Sequence, residues 1–281
     1  LLLWVMTNKF HPEAEEVCAR YEKLGVAGFK CDFLDCNDQQ GVEKIYEIAE
    51  IAARHHMIID LHGIFPPAGL DRTYPNLVNF EGVWGLENAK DTHEQQIIPY
   101  DVTIPYLRNM YGICDYTPGA MRNFTKSGYA PSKSHPGSPG TRARQVATYV
   151  TLDSPLTMLC DTPSNYYKEQ ETVDFITSLP RTYDSKLCLS GKLGETVVIA
   201  REAAGAWYVG GMTDWTPRDI KVSFKFLKKG TWEVKLFRDG ENADENAQDY
   251  RVETFTVTPS STADIHLASG GGFCMQIKKI K

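Results

Sequence analysis

The pattern of hydrophobic and polar residues changes near residue 185 and so divides the chain into two parts. Before it, short apolar runs (residues 1–6, 26–34 and 57–63) alternate with stretches 11–25 and 38–56, whose apolar residues recur at helical spacing. Residues 77–87, 112–121 and 154–161 supply three more candidate strands. About six strands alternating with helices predict a parallel sheet that is covered by helices.

The first part of the chain favours one architecture among parallel folds. Charged residues stand at the C-terminal ends of the predicted strands, where (β/α)8 barrels place their chemistry. A doubly wound sheet is the rival, although the sequence has no GxGxxG or Walker motif. We therefore predict that residues 1–185 form the C-terminal portion of a (β/α)8 TIM-type barrel, and six strands instead of eight predict that its N-terminal part is missing from this chain.

In the second part of the chain, hydrophobic and polar residues alternate with a period of two. From about residue 190, segments with that alternation are separated by Gly- and Asp-containing turns. This pattern is typical of antiparallel strands. We predict that residues 186–281 form a small antiparallel β-sandwich.

Composition and charge exclude some classes of function. The 281 residues carry a formal net charge of −6, which argues against a nucleic-acid partner because phosphate binding needs a basic surface. No apolar stretch approaches the ~20 residues of a membrane-spanning helix. The first residue is Leu, in what reads as a strand already under way, so we expect the chain to be a piece of a longer polypeptide.

Asp32 interrupts the apolar run "GFKCDFL" in the second predicted strand. A buried carboxylate costs several kcal/mol unless it is paired, hydrogen-bonded or opened onto a site. In a barrel, the ends of three strands would bring charged side chains to one face: Lys30, Asp32, Asp35, Asp60, His62, Glu81 and Glu87. Two carboxylates on either side of a bond are the arrangement for glycoside hydrolysis. The alternative is that Lys30 and Asp32 form a structural ion pair.

Glu81, Glu87 and His62 each leave two interpretations open. Gly82 and Gly85 lie between the two glutamates, so a bend there would turn both carboxylates onto a hard cation such as Ca2+. Without the bend they are solvated acids of a surface loop. His62 is either a satisfied core imidazole or a partner of a sugar hydroxyl.

Several stretches of the sequence together resemble glycoside hydrolase family 97. They are "GFKCDFLDCNDQ", "DLHGIFPPAGLDRTYPNLVNFEGVWGLENAK", "GTRARQVATYVTLDSPLTMLCDTPSNY" and "VETFTVTPSSTADIHLASGGGF", and the resemblance extends over essentially the whole chain. Members of that family have an N-terminal β-sandwich, a (β/α)8 barrel and a C-terminal β-sandwich. They hydrolyse α-linked glucosides or galactosides with Ca2+ at the site.

The resemblance also implies roles for individual residues. Inverting members carry a base glutamate directly after the histidine of the "DLH" strand, and here that place is Gly63. Retaining members have an aspartate nucleophile on the "K-x-D-F" strand, which matches Asp32. Glu87 is then the acid/base and, with Glu81, a calcium ligand. Lys30 and His62 are expected to contact the sugar.

The resemblance therefore implies a retaining glycosidase that acts on terminal α-galactosides through a covalent glycosyl-enzyme. Its two carboxyl groups are expected to lie about 5–5.5 Å apart. The alternatives are an inverting α-glucosidase and an inactive carbohydrate-binding fragment. The resemblance also implies that a preceding domain of the same polypeptide completes the site, and that the protein is periplasmic or otherwise exported in a bacterium.

Overall fold

The protein has two units: the first contains a four-stranded parallel sheet, and the second contains the antiparallel sheets. A computed structural model describes residues 1–91 and 96–280. The first unit consists of Leu1–Gly85, Arg108–Tyr116 and Asp153–Met158. The second consists of Leu86–Leu107, Thr117–Leu152 and Leu159–Lys281. The antiparallel region begins at Ser185, beside the predicted domain boundary between residues 185 and 186, and that boundary stays a prediction.

Eight α-helices and two 3-10 helices are assigned among the described residues. The α-helices are α1 (Thr7–Phe10), α2 (Ala14–Glu22), α3 (Gln39–Arg54), α4 (Leu70–Thr73), α5 (Ile97–Tyr111), α6 (Arg142–Thr151), α7 (Pro163–Lys168) and α8 (Gln170–Thr177). The 3-10 helices are His11–Glu13 and Leu86–Asp91. No helix in the described part of the chain is long and apolar enough to cross a bilayer.

The first unit contains a four-stranded parallel sheet in chain order. Its strands are β1 (Leu2–Met6), β2 (Gly28–Asp32), β3 (Ile58–Leu61) and β4 (Leu77–Phe80). Four of the six predicted strands are confirmed, although β4 ends at Phe80 rather than near residue 87. A closed eight-stranded barrel is not observed in residues 1–91 and 96–280.

Two of the predicted strands, at 112–121 and 154–161, are wrong. Near the first of them the chain is extended only briefly, and the Asp115 N–H donates to the Phe80 carbonyl at 2.8 Å. Thr117 then takes a left-handed φ of +52°, and Pro118 has no N–H to donate. Pro155 removes a donor from the second segment in the same way. Both segments therefore lack the donors that a continuous ladder needs.

Alternation along β2 places apolar side chains on the helix-covered face of the parallel sheet. Phe29 and Cys31 are fully buried in a core with Ile45 and Ile48 of α3. Burial of each large apolar side chain contributes about 1.5–3 kcal/mol. At the start of α3 the Asp38 carboxylate accepts the Gly41 N–H at 2.9 Å, a cap that contributes about 1 kcal/mol. The opposite face of β2 is left for polar residues.

A histidine at the end of α3 ties that helix to α2. His55 Nδ1 lies 2.8 Å from Glu22 Oε2, and its Nε2 lies 3.0 Å from Glu15 Oε1. The hydrogen bonds to Glu22 and Glu15 raise the pKa of His55. A raised folded-state pKa means that this stabilisation is fully present below the unfolded value of about 6.5 and is lost as pH rises through the folded value.

The His55→Gln substitution should therefore lower the thermal midpoint more at pH 6 than at pH 9. Thermal denaturation of both proteins across that range measures the difference. Arg54→Gln is the matched control, since its guanidinium contacts Glu15 at 2.6 Å and stays charged throughout. A His55→Gln effect that is constant with pH would contradict the prediction.

The second unit carries the other strands of the described residues, most of them antiparallel. They are β5 (Asn123–Phe124), β6 (Ser138–Pro139), β7 (Ser185–Lys192), β8 (Thr196–Ala203), β9 (Ala206–Thr213), β10 (Arg218–Ser223), β11 (Trp232–Asp239), β12 (Tyr250–Val257), β13 (Thr262–Leu267) and β14 (Gly272–Lys279), of which β5 and β6 form a short parallel pair. The others form a six-stranded sheet, in the order β12-β11-β14-β9-β8-β7, and the pair β10-β13. One apolar core joins these two sheets, with Phe224, Val234 and Met275 at its centre. The predicted C-terminal β-sandwich is confirmed.

Candidate active site

Three neighbouring strands present polar residues on the face of the sheet opposite the apolar core. In parallel pairing, Lys30 of β2 lies beside Asp60 of β3, which lies beside Asn79 of β4. Side chains two positions apart share a face, so the residues that follow by two form a second row along the C-terminal ends of the strands. This second row consists of Asp32, His62 and Glu81. The sheet thus brings four of the predicted site residues together in the first unit: Lys30, Asp32, His62 and Glu81.

Asp32 accepts two hydrogen bonds and lies beside the His62 imidazole. Its Oδ2 accepts the Trp4 indole N–H at 3.1 Å, and its Oδ1 accepts the Phe33 backbone N–H at 2.7 Å. His62 Nδ1 lies 3.6 Å from the same Oδ1. Burial alone would raise the pKa of Asp32, but the interactions with His62 and Trp4 outweigh it and lower the pKa. Asp32 is therefore ionised at neutral pH and fixed in orientation.

His62 is buried among carboxylates. Besides Asp32, its Nδ1 lies 3.4 Å from Glu81 Oε2, and its Nε2 lies 3.5 Å from Asp115 Oδ2. Burial lowers the pKa of His62, but the hydrogen bond with Asp32 and the charges of Glu81 and Asp115 raise it overall. An imidazole in purely apolar surroundings would show the opposite direction. His62 is thus part of a polar site rather than of the apolar core.

Lys30 does not pair with Asp32, so the alternative of a structural ion pair between them is wrong. Its ammonium instead donates to Asp60 Oδ2 at 3.1 Å and to Asp115 Oδ2. Burial lowers the pKa of Lys30, but the charges of Asp115 and Asp60 raise it above its ordinary value. Burial and the Asp115 charge raise the pKa of Asp60 to about 7, against the effect of Lys30.

Gly63 connects the ends of β2 and β4. Its N–H donates to Glu81 Oε2 at 2.7 Å, and its carbonyl accepts the Asp35 N–H at 3.1 Å. Its φ is +57°, which favours glycine. A Cβ at this position would lie 2.9 Å from Phe33 N and 3.3 Å from Asp32 Oδ1. The backbone beside Asp32 therefore has no room for a side chain at residue 63.

Glu81 and Glu87 lie on opposite sides of a bend. Glu81 follows β4, and Gly82 takes a left-handed φ of +49°, so the chain bends there, which was one of the two interpretations left open. Glu87 belongs to the 3-10 helix Leu86–Asp91 of the second unit, where its Oε2 lies 3.4 Å from Lys90 Nζ. The side chain of Glu87 is about one third exposed. Its pairing with Asp32 stays a prediction.

Sequence reasoning did not single out Trp4 or Asp115. Trp4 is paired with Lys30 in the parallel register of β1 and β2, so its side chain shares the polar face. A tryptophan two residues before the end of a predicted strand is the signal that could have indicated it. Asp115 directly follows the apolar residues Ile113 and Cys114. A charged residue beside an apolar run, the pattern that singled out Asp32, could have indicated it too.

The two ends of the chain match profiles of one family. Residues 1–83 match the profile described as glycoside hydrolase 97, and residues 182–278 match the one described as glycosyl-hydrolase 97 C-terminal, oligomerisation. A retaining alpha-galactosidase of Bacteroides thetaiotaomicron is 47% identical over 279 residues, which are 99% of this chain and 42% of that protein. A probable retaining alpha-galactosidase of Streptomyces bingchenggensis is 31% identical over 93% of this chain and 38% of that protein. The chain thus spans less than half the length of these curated relatives.

Solved structures show the same architecture. A glycoside hydrolase family 97 enzyme from Pseudoalteromonas sp. strain K8, in complex with panose, superposes with a TM-score of 0.88 at 27% identity, over 100% of this chain and 47% of that one. A beta-arabinopyranosidase superposes with a TM-score of 0.82 over 98% of this chain and 45% of that one. At 22% identity the latter comparison shows the fold alone.

Proposed function

Because the chain belongs to glycoside hydrolase family 97, we propose that this protein is a retaining α-galactosidase, with Asp32 as its nucleophile. The observation that carries the proposal is the fixed, ionised carboxylate at the end of β2. The Trp4 and Phe33 N–H groups donate to it, and His62 Nδ1 lies 3.6 Å away, so it is held on the polar face of the sheet. The curated relatives whose names describe retaining alpha-galactosidases support the choice of substrate.

The reaction proceeds in two displacements. Ionised Asp32 attacks the anomeric carbon, forming the bond to the sugar, while the glycosidic oxygen leaves with a proton from Glu87. Glu87 then takes a proton from the water that attacks the glycosyl-enzyme, which restores both carboxyl groups. The lowered pKa of Asp32 is consistent with its role as nucleophile, because a carboxylate has to be ionised to attack the anomeric carbon.

Gly63 favours the retaining outcome over the inverting one. An inverting member would need a glutamate side chain at this position. Here the first atom of any side chain would come within 2.9 Å of the Phe33 backbone and 3.3 Å of Asp32 Oδ1. The Asp32 nucleophile and a base at residue 63 therefore compete for the same space.

Lys30 and His62 bind the sugar in this proposal. An ammonium has three N–H donors, and Lys30 commits two of them to Asp60 and Asp115. The third is directed at a sugar hydroxyl. His62 bears a raised pKa among its carboxylate neighbours and serves as a second donor.

Calcium binding by Glu81 and Glu87 fits the donor set. Both offer carboxylate oxygens, the ligand type that Ca2+ prefers. The Gly63 N–H fixes Glu81 Oε2 at 2.7 Å, so this carboxylate has a defined orientation at the end of β4. When bound, Ca2+ supplies positive charge that orients carboxylates and sugar hydroxyls.

The wider setting of the site follows from family membership. We propose that the parallel sheet of the first unit belongs to a (β/α)8 barrel and that a preceding domain of the same polypeptide contributes to the site. We also propose that the protein is periplasmic or otherwise exported in a bacterium.

A galactosyl-enzyme trap tests the proposal in the full-length protein. Incubation with 5-fluoro-α-galactosyl fluoride should add one 5-fluorogalactosyl group with release of the anomeric fluoride, and peptide mass spectrometry should locate that group on Asp32. Proton NMR of α-galactoside hydrolysis should show α-galactose as the first product. β-Galactose as the first product with no labelled peptide indicates an inverting enzyme. Sugar binding without turnover indicates a carbohydrate-binding protein.

A further inference from the structure

Asp115 is a fully buried carboxylate on the segment that follows α5. Its backbone N–H donates to the Phe80 carbonyl at 2.8 Å, so this segment lies beside the end of β4. This pairing brings the side chain to the polar face of the sheet. The residue lies 85 positions from Lys30 along the chain, yet the two side chains are in direct contact.

One oxygen of Asp115 contacts both residues that we expect to bind the sugar. Its Oδ2 accepts a hydrogen bond from Lys30 Nζ and lies 3.5 Å from His62 Nε2. Asp60 holds the same ammonium from β3, with its Oδ2 at 3.1 Å. Two fixed acceptors on different segments leave the ammonium one orientation, so its third N–H points in one direction.

A contribution to the stability of the fold does not explain why Lys30, Asp60, His62 and Asp115 lie together. Oδ1 of Asp60 and Oδ1 of Asp115 are buried and have no hydrogen-bond partner among the described residues, which costs about 1–3 kcal/mol for each such atom. Apolar replacements of buried ion pairs are often neutral or stabilising. An arrangement that costs stability and surrounds two substrate-binding donors indicates a role in binding.

We propose that Asp115 is a positioning residue: it orients the Lys30 ammonium so that its third N–H donates to a hydroxyl of the sugar bound in front of Asp32. This inference rests on the proposed glycosidase function. Asp60 shares the hold on Lys30, and the Asp115 carboxylate also faces His62 Nε2 at 3.5 Å. Nothing in this role requires Asp115 to touch the substrate, since it acts through Lys30.

A double-mutant cycle with Lys30 tests the role of Asp115. In the full-length protein, Asp115→Asn should lower kcat/KM for a nitrophenyl α-galactoside by about 30-fold or more, because small misplacements of binding groups cost up to about 10²-fold. In the Lys30→Met background the same substitution should cost much less, because the donor it positions is gone. Equal losses in both backgrounds, or a loss below about threefold, would overturn the proposal.

Asp101→Asn is the matched control. Asp101 is equally buried and accepts from Arg144 Nη2 at 2.9 Å in the second unit. Its substitution should lower the thermal midpoint, and its effect on kcat/KM should be the same with and without Lys30. If Asp115→Asn does not fold, Asp60→Asn takes its place in the cycle with the same expected coupling, because Asp60 holds the same ammonium.

Calorimetric binding of galactose, glucose and L-arabinose separates this inference from the substrate proposal. If the wild type binds glucose or arabinose and not galactose, the choice of galactose is wrong, and the coupling between residues 115 and 30 is measured on the sugar that binds. If a sugar binds and Asp115→Asn leaves its affinity unchanged, the positioning role is wrong.

Discussion

Replacement of Asp32, the proposed nucleophile, by asparagine in the full-length protein is expected to lower kcat for α-galactoside hydrolysis by about 10³-fold or more, because both displacements of the proposed mechanism depend on this carboxylate. The amide keeps the size of the side chain, and its one oxygen can still accept the Phe33 N–H, whereas the Trp4 N–H loses its acceptor. Loss of one hydrogen bond costs about 1 kcal/mol, so the fold should persist. Steady-state kinetics and circular dichroism measure the two effects separately. Asp264→Asn is the matched control, an exposed carboxylate that loses only a weak contact with Lys221 at 3.6 Å.

Chemical rescue distinguishes a nucleophile from a residue that merely orients the sugar. In the Asp32→Gly protein, sodium azide should restore turnover of a nitrophenyl α-galactoside by entering from the face that the carboxylate occupied. The product should be β-galactosyl azide. Unchanged turnover in azide, together with kcat within tenfold of the wild type for Asp32→Asn, would show that the nucleophile lies elsewhere.

Gly63→Ala is expected to lower kcat/KM by about 10²-fold, which is the cost of displacing reactive groups by about 1 Å. The added methyl group would lie 2.9 Å from Phe33 N and 3.1 Å from Phe33 Cα, so the Phe33 backbone has to move. That N–H fixes Asp32 Oδ1, and the Gly63 N–H fixes Glu81. One methyl group thus disturbs two carboxylates of the site.

The loss of activity has to be separated from backbone strain. Gly25 also has a left-handed φ, +75°, but a Cβ there would meet nothing within 4 Å. Gly25→Ala should therefore show the strain of about 1–2 kcal/mol in thermal or denaturant unfolding and retain normal kinetics. If the two alanine variants have the same kcat/KM, crowding at Gly63 has no part in catalysis.

The elements that sequence predicted best are those with strong local patterns. β2 and β3 lie within the apolar runs predicted at residues 26–34 and 57–63, and the apolar spacing of α3 matches the face that it buries. Lys30 and Asp32 share a face of β2 because side chains two positions apart in a strand point to the same side. These predictions depend only on neighbours within a few residues of one another.

Contacts between distant segments were beyond the sequence pattern. Nothing in the spacing of residues indicates that Lys30 binds Asp115 rather than Asp32, because that choice depends on how residues 113–116 lie beside β4. The left-handed conformation of Thr117, which ends that segment, likewise has no local signal beyond Pro118. Trp4 was overlooked because a tryptophan in a strand is usually part of a core, whereas here it is about half exposed.

The shortage of space at Gly63 has an evolutionary consequence. A side chain at residue 63 has no room while the Phe33 backbone stays where it is, 2.9 Å from the position of a Cβ. A larger residue there therefore requires a different path of the backbone that follows β2. We expect relatives with a side chain at this position to differ in that backbone as well, so that residues 33 and 63 change together.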